Sequence, residues 1–172
     1  MCGIAGYYGS ATLSRERLEA CRALMRRRGP DGDAILERRI GERNAYLLHA
    51  RLRIIDLDPR ANQPFARRGG HLCYNGELYN YLELRADLER RGVRFSTESD
   101  TEVLAEIVAS RGWQGLDDCE GMWAFGWLDG TGLLLARDRF GEKPLYVYEE
   151  ARACTSVPSR SSSSPSSAGG CR

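Results

Sequence analysis

A chain of 172 residues, 42% hydrophobic and 28% charged, has the size and composition of one globular domain with a core of its own. Its 25 basic residues are nearly cancelled by 24 acidic ones, which argues against a general field for nucleic acid or membrane surfaces, and no apolar run approaches a membrane span. The six cysteines are scattered, form no CxxC pair, and have only His49 and His71 as companions, so free thiols, a reducing cytoplasmic setting and no metal site are expected.

Taken in chain order, Cys2 directly follows the initiator methionine, and a small second residue permits removal of Met1. Thiol and free α-amine then share one residue, and an amine titrating near pH ~8 can take the thiol proton. Against this stands a plain cysteine at the start of a buried first strand. Residues 3–8 read as that strand, and 14–28 as an amphipathic helix with Leu18, Cys21, Leu24 and Met25 on one face. Gly29-Pro30 stops the helix in a turn, and Arg26, Arg27 and Arg28 form its solvated last turn. A buried strand is expected at 44–50, leading into Arg51, and a loop at 58–70.

Residues 71–74 predict a short strand that ends in a turn at Asn75-Gly76. Two capping boxes follow: Asn80 with Glu83 opens a helix to Arg91, and Ser99 with Glu102 opens another, burying Val103, Leu104, Ile107 and Val108. Strands at 123–128 and 133–137 are joined by Asp129-Gly130-Thr131-Gly132, and 145–148 predicts one more. Hairpin strands with helices grouped between them indicate a layered α+β fold. Residues 1–150 form this domain. From 151 to 172 there are eight serines and no acid, a composition expected to be disordered.

The residues that could carry chemistry suit a zwitterionic amino-acid amide. Arg51 could fork its carboxylate, Asp100 could take its α-ammonium, and Cys2 could attack the side-chain amide. Asn75 and the Gly76 N–H could receive the resulting oxyanion. Each has a structural alternative: a surface ion pair for Arg51, a hairpin turn for Asn75-Gly76, a helix-start charge for Asp100.

The segments Met1-Cys2-Gly3-Ile4-Ala5-Gly6, RGPDG (28–32), HARLRIIDL (49–57), QPF (63–65), YNGELYNY (74–81), ESDTEV (98–103), GMWAFGWLDG (121–130) and ARDRFGEKPLY (136–146) occur in an order that resembles class II glutamine amidotransferase domains. The resemblance is strongest to the glutaminase half of asparagine synthetases that use glutamine. It implies an N-terminal-nucleophile fold, a four-layer sandwich of two antiparallel sheets face to face with helices outside. It implies Cys2 as nucleophile, Asn75 and Gly76 as the oxyanion hole, and Arg51 on the glutamine carboxylate, with Leu52, Ile54 and Ile55 lining that loop. Glu77 and Asp100 would hold the α-amino end.

The implied substrate is L-glutamine, with no cofactor for its hydrolysis. ATP and magnesium would belong to a synthetase domain, expected to be missing here and supplied, if at all, by a separate domain or chain. The sequence departs from the family beyond 148, as expected of an out-of-frame or prematurely ended reading, the alternative being a natural stand-alone glutaminase with a flexible serine-rich tail. One rival keeps the fold but assigns the acceptor to sugar-phosphate or phosphoribosyl chemistry, against which RGPDG, YNGELYN and ARDRFGEKPLY speak; the other is an inactive remnant or non-catalytic module that binds a synthetase or a ligand. Neither the acceptor nor the oligomeric state is readable.

Overall fold

The computed structural model describes residues 2–149; the serine-rich segment 151–172, expected to be disordered, lies outside the described residues. Seven strands form two antiparallel sheets. In the first, β1 (Gly3–Gly9) and β2 (Gly32–Ile40) flank β3 (Arg43–Arg51). In the second the order is β4 (Phe65–Arg67), β5 (Gly70–Leu78), β6 (Gly121–Asp129), β7 (Gly132–Arg137). The helices are α1 (Arg15–Met25), α2 (Tyr81–Arg90) and α3 (Asp100–Arg111). Among them none is long and apolar enough to cross a membrane.

Strand alternation builds the layers, because successive side chains leave a strand on opposite faces. In β3, Tyr46 and Leu48 pack with Leu18 and Met25 of α1, while Ala45 and Leu47 pack against Cys73 and Leu128 of the other sheet. In the second sheet Leu72, Tyr74, Leu78, Phe125 and Trp127 turn the other way, onto Val103, Leu104 and Ile107 of α3. The order is therefore helix, sheet, sheet, helix, as the four-layer sandwich requires.

Several elements differ from the sequence reading. β2 and β4 lack a clean apolar alternation; β2 carries Glu37, Arg38 and Arg39 in a row along an edge strand. Asn75-Gly76 is no turn: β5 runs through it to Leu78, because β6 supplies partners along its whole length. Gly76 is required instead by close approach, since a Cβ there would lie 2.3 Å from the Met122 carbonyl oxygen. The expected box at Asn80 does not form; its carboxamide bridges Asp118 O and the Glu120 N–H. Ser99 does cap α3 through Thr101 N, but Glu102 turns to Ser96 and Thr97 rather than back to Ser99. No strand forms at 145–148, where Tyr146 and Tyr148 are exposed and no ladder partner is present among the described residues. The hairpin at 129–132 is present, with Asp129 accepting the Thr131 N–H.

Candidate functional site

Parity along the strands brings the chemistry to one end of the sandwich. Cys2 continues β1 on the face of Ile4, and Arg51 ends β3 on the face of Leu47; both faces look toward the second sheet. Asn75 shares the face of Cys73, which looks back. The N-terminus of α3, with Asp100 in its first turn, closes the other side. Cys2, Arg51, Leu52, Ile54, Ile55, Asn75, Gly76, Glu77 and Asp100 all line a single pocket. Gln63, Tyr74, Ser99, Thr101, Met122 and Lys143 complete its wall.

The Cys2 sulfur lies 3.4 Å from the Leu52 N–H and 3.7 Å from the Leu52 carbonyl. Burial pushes its thiol up, and the Leu52 N–H and the Arg51 charge only partly offset this. A thiol so placed is protonated near neutral pH and needs a base to become a nucleophile.

Two donors face the pocket without an acceptor among the described residues. Among the described residues nothing hydrogen-bonds the Asn75 carboxamide. The Gly76 N–H follows from the ladder. Trp123, opposite Gly76, turns both its N–H and its carbonyl to Asp138, so the Gly76–Trp123 pair exchanges no ladder bonds. The N–H of Gly76 therefore points to the opposite edge of β5, beside those of Tyr74 and Leu78. Tyr74 N donates to Gln63 Oε1 at 2.6 Å and Leu78 N to Asp100 Oδ2 at 3.2 Å. Gly76 lies between them, facing the cavity.

Asp100 is almost fully buried, and its Oδ2 also accepts the Tyr74 hydroxyl at 2.8 Å. Burial outweighs these hydrogen bonds and carries its carboxyl above the usual range. No arginine or lysine forms an ion pair with it among the described residues. Glu77 is exposed at the rim.

Arg51 departs from the expected open fork. Its Nη1 donates to Asp58 O at 3.0 Å and to Asn62 Oδ1 at 2.7 Å, and its Nη2 to Ile55 O at 3.4 Å and to Asp56 O. The guanidinium thus folds the 52–62 loop over the pocket, which explains its burial, and burial in turn lowers its pKa. Asp31 fixes the start of the same loop by accepting the Arg53 N–H at 2.9 Å.

Sequence reasoning assigned no role to Gln63, Tyr74 or Lys143. Gln63 and Lys143 lie within the QPF and ARDRFGEKPLY segments, and Tyr74 opens YNGELYNY, so the signal was present without a chemical reason attached. Asp138, in the same late segment, accepts the N–H groups of Trp123, Phe140, Glu142 and Lys143. Burial acts to raise its carboxyl, but these bonds hold it below the usual range, and they fix the turn that brings Lys143 to the pocket.

The chain matches the profile of the family described as glutamine amidotransferase domain across residues 1–163. It is 39% identical over 158 residues to asparagine synthetase B (glutamine-hydrolyzing) of Escherichia coli, covering 87% of this chain and 27% of that protein. Over 168 residues it is 33% identical to a putative asparagine synthetase (glutamine-hydrolyzing) 2 of Methanocaldococcus jannaschii, covering 86% and 32%. The chain thus spans about a third or less of the length of these relatives. The solved structure of a glutamine phosphoribosylpyrophosphate amidotransferase from B. subtilis is similar over 54% of this chain and 23% of its own, at 26% identity and a TM-score of 0.46.

Proposed function

Because the chain belongs to the glutamine amidotransferase domain family, we propose that it hydrolyses L-glutamine to glutamate and ammonia through a γ-glutamyl thioester on Cys2. The observation that supports this most directly is the meeting, in one pocket, of a half-buried thiol with two donors and a carboxylate that, among the described residues, have no acceptor and no counter-charge respectively. With Met1 removed, the α-amine of Cys2 takes the thiol proton, and the sulfur attacks the side-chain amide carbon. The C–O π electrons move onto oxygen, where Asn75 and the Gly76 N–H receive the charge. Collapse breaks the C–N bond, the new ammonium at Cys2 returns its proton to the leaving nitrogen, and ammonia departs. Water then adds to the thioester carbon, glutamate leaves, and the thiol is restored.

In this reading Asp100 receives the α-ammonium, with Glu77 beside it at the rim. Leu52, Ile54 and Ile55 form the wall along the substrate's methylenes. Arg51 serves the substrate carboxylate in competition with the loop carbonyls it already holds. Hydrolysis needs no cofactor. ATP and magnesium would serve only transfer to an acceptor, for which we propose a separate synthetase domain or chain of the asparagine synthetase kind, in the cytoplasm.

The test is glutamate and ammonia release by the purified chain, with intact mass and N-terminal sequencing. Equal amounts of both, from protein beginning at Cys2, are expected, and Cys2→Ala should reduce turnover to background while Cys21→Ala does not. Turnover by chains that retain Met1, or undiminished turnover in Cys2→Ala, would overturn the mechanism. A folded chain beginning at Cys2 that releases no glutamate would point to a non-catalytic module.

A further inference from the structure

Asp100 is held in an unusual way for a buried carboxylate, and what holds it is a residue to which the proposed reaction gives no part. Tyr74 lies on the helix-facing side of β5, two positions before Gly76 and buried against α3. Its phenol reaches the first turn of α3 and donates to Asp100 Oδ2 at 2.8 Å; the Leu78 N–H shares that oxygen, and Ser99 Oγ lies 3.4 Å from Oδ1. The backbone of Tyr74 is held as tightly. Its N–H donates to Gln63, whose Nε2 donates to Thr101 Oγ1 at 3.3 Å, and its carbonyl receives His49 Nε2 at 3.3 Å. The phenol therefore has little freedom to point elsewhere.

We propose that Tyr74 is a positioning residue for the glutamine site, its phenol holding the Asp100 carboxylate aimed at the pocket and supplying a hydrogen bond on which the charged form depends. This rests on the reading that Asp100 receives the substrate's α-ammonium. A carboxylate has about four acceptor positions, so the bonds at Oδ2 leave others for the incoming cation. The titratable groups lining the pocket with Asp100 are Tyr74 and Glu77 from β5, Cys2 before β1, Arg51 at the end of β3 and Lys143 after β7. Glu102, on the same helix, is turned away toward Ser96 and Thr97. None of these replaces the phenol, because among the described residues no cation pairs with Asp100.

Tyr74→Phe removes one hydroxyl and keeps the ring that packs on α3. A lost hydrogen bond to the ionised form raises a carboxyl's pKa, so the acidic limb of kcat/KM for glutamine should move to higher pH. The effect should fall on KM, rising about tenfold at pH 6 and less than about threefold at pH 8.5, with kcat within about threefold at both. A merely structural role would lower kcat/KM by one factor at every pH. In an Asp100→Asn background the Tyr74→Phe change should have no further effect on the pH profile, since no charge remains to be held.

Alkylation of Cys2 by iodoacetamide reports whether the pocket is intact, and its rate should match the unsubstituted chain. An unshifted acid limb in a Tyr74→Phe protein with normal alkylation would overturn the inference and leave the glutaminase reading standing. Should Tyr74→Phe fail to fold, 3-fluorotyrosine placed at position 74 keeps ring and hydroxyl and makes the phenol a stronger donor, so the acid limb should move to lower pH, and an unmoved limb would overturn the inference. Absence of glutamate release by the unsubstituted chain would overturn both readings.

Discussion

Two buried carboxylates stand one turn-fraction apart at the start of α3, and their surroundings are opposite. Glu102 accepts the N–H and hydroxyl of both Ser96 and Thr97 and an ion pair from Arg67 at 3.0 Å. Burial acts to raise its carboxyl, yet these partners hold it below the usual range. Asp100 has a phenol and the Leu78 N–H but, among the described residues, no cation, and burial carries it above that range. The first carboxylate is satisfied by its own protein and ties β4 and the 94–97 segment to the helix. The second is buried without a counter-charge among the described residues, and in the proposed reaction a cationic substrate group supplies it. Burial alone therefore does not separate the two; the counter-charge, present at Glu102 and missing among the described residues at Asp100, is what the proposed roles turn on.

The sharpest way to break this comparison is to delete the satisfied member. Glu102→Ala strands four donors and leaves Arg67 with Glu106 as its one remaining carboxylate among the described residues, so urea unfolding should show a loss on the order of 3–5 kcal/mol. The glutamine KM of the protein that remains folded should change little, because Glu102 does not line the pocket. A loss below about 1 kcal/mol would mean that the two acids are alike after all.

Asp100→Asn reverses the pattern. The asparagine keeps an acceptor for Tyr74 and Leu78 but offers no charge to an ammonium, so kcat/KM for glutamine should fall about 10²-fold, equivalent to about 2.7 kcal/mol. The loss should reside mainly in KM, since the ammonium is charged in ground and transition states alike. Unfolding of this variant under conditions where the parent chain is folded would make Asp100 a structural acid.

The same contrast explains what was legible in the sequence. Apolar runs paired along their length, β1, β3, β6 and β7, were readable from residue pattern, as was the α3 core face. Two strands were not: β2 holds its charged run Glu37-Arg38-Arg39 because half of it faces solvent, and β4 is three residues long. Asn75-Gly76 misled because the pair has two physical uses, a turn or a close approach, and only the neighbour Met122 decides between them. Motif order located the nine expected pocket residues, yet it could not show that Arg51 already has four acceptors in the 55–62 loop, or that Tyr74 holds Asp100. Those are partnerships between segments far apart in the chain, which residue type does not encode.

The smallest effect concerns pH and separates the two acids by sign. Glu102 has a lowered carboxyl, so its contribution to stability is complete above the unfolded value, near ~4.3, and is lost as pH falls through the folded one. Asp100 has a raised carboxyl, so between the unfolded value, near ~3.9, and its folded one the native chain binds the extra proton. Stability from Asp100 accordingly increases as pH falls through that window, and its ionised form is a burden at neutral pH. Asp100→Asn lifts that burden and should be more stable than the parent chain at pH 7 by up to about 1 kcal/mol, the usual direction of exchange at a ligand site. As pH is lowered and Asp100 in the parent takes up its proton, the two should converge, because both then carry a neutral group there. Urea midpoints of parent and variant at pH 7, 6, 5 and 4 measure the difference directly. A gap that widens toward acid would give Asp100 the sign of Glu102, and with it the role of a satisfied structural carboxylate.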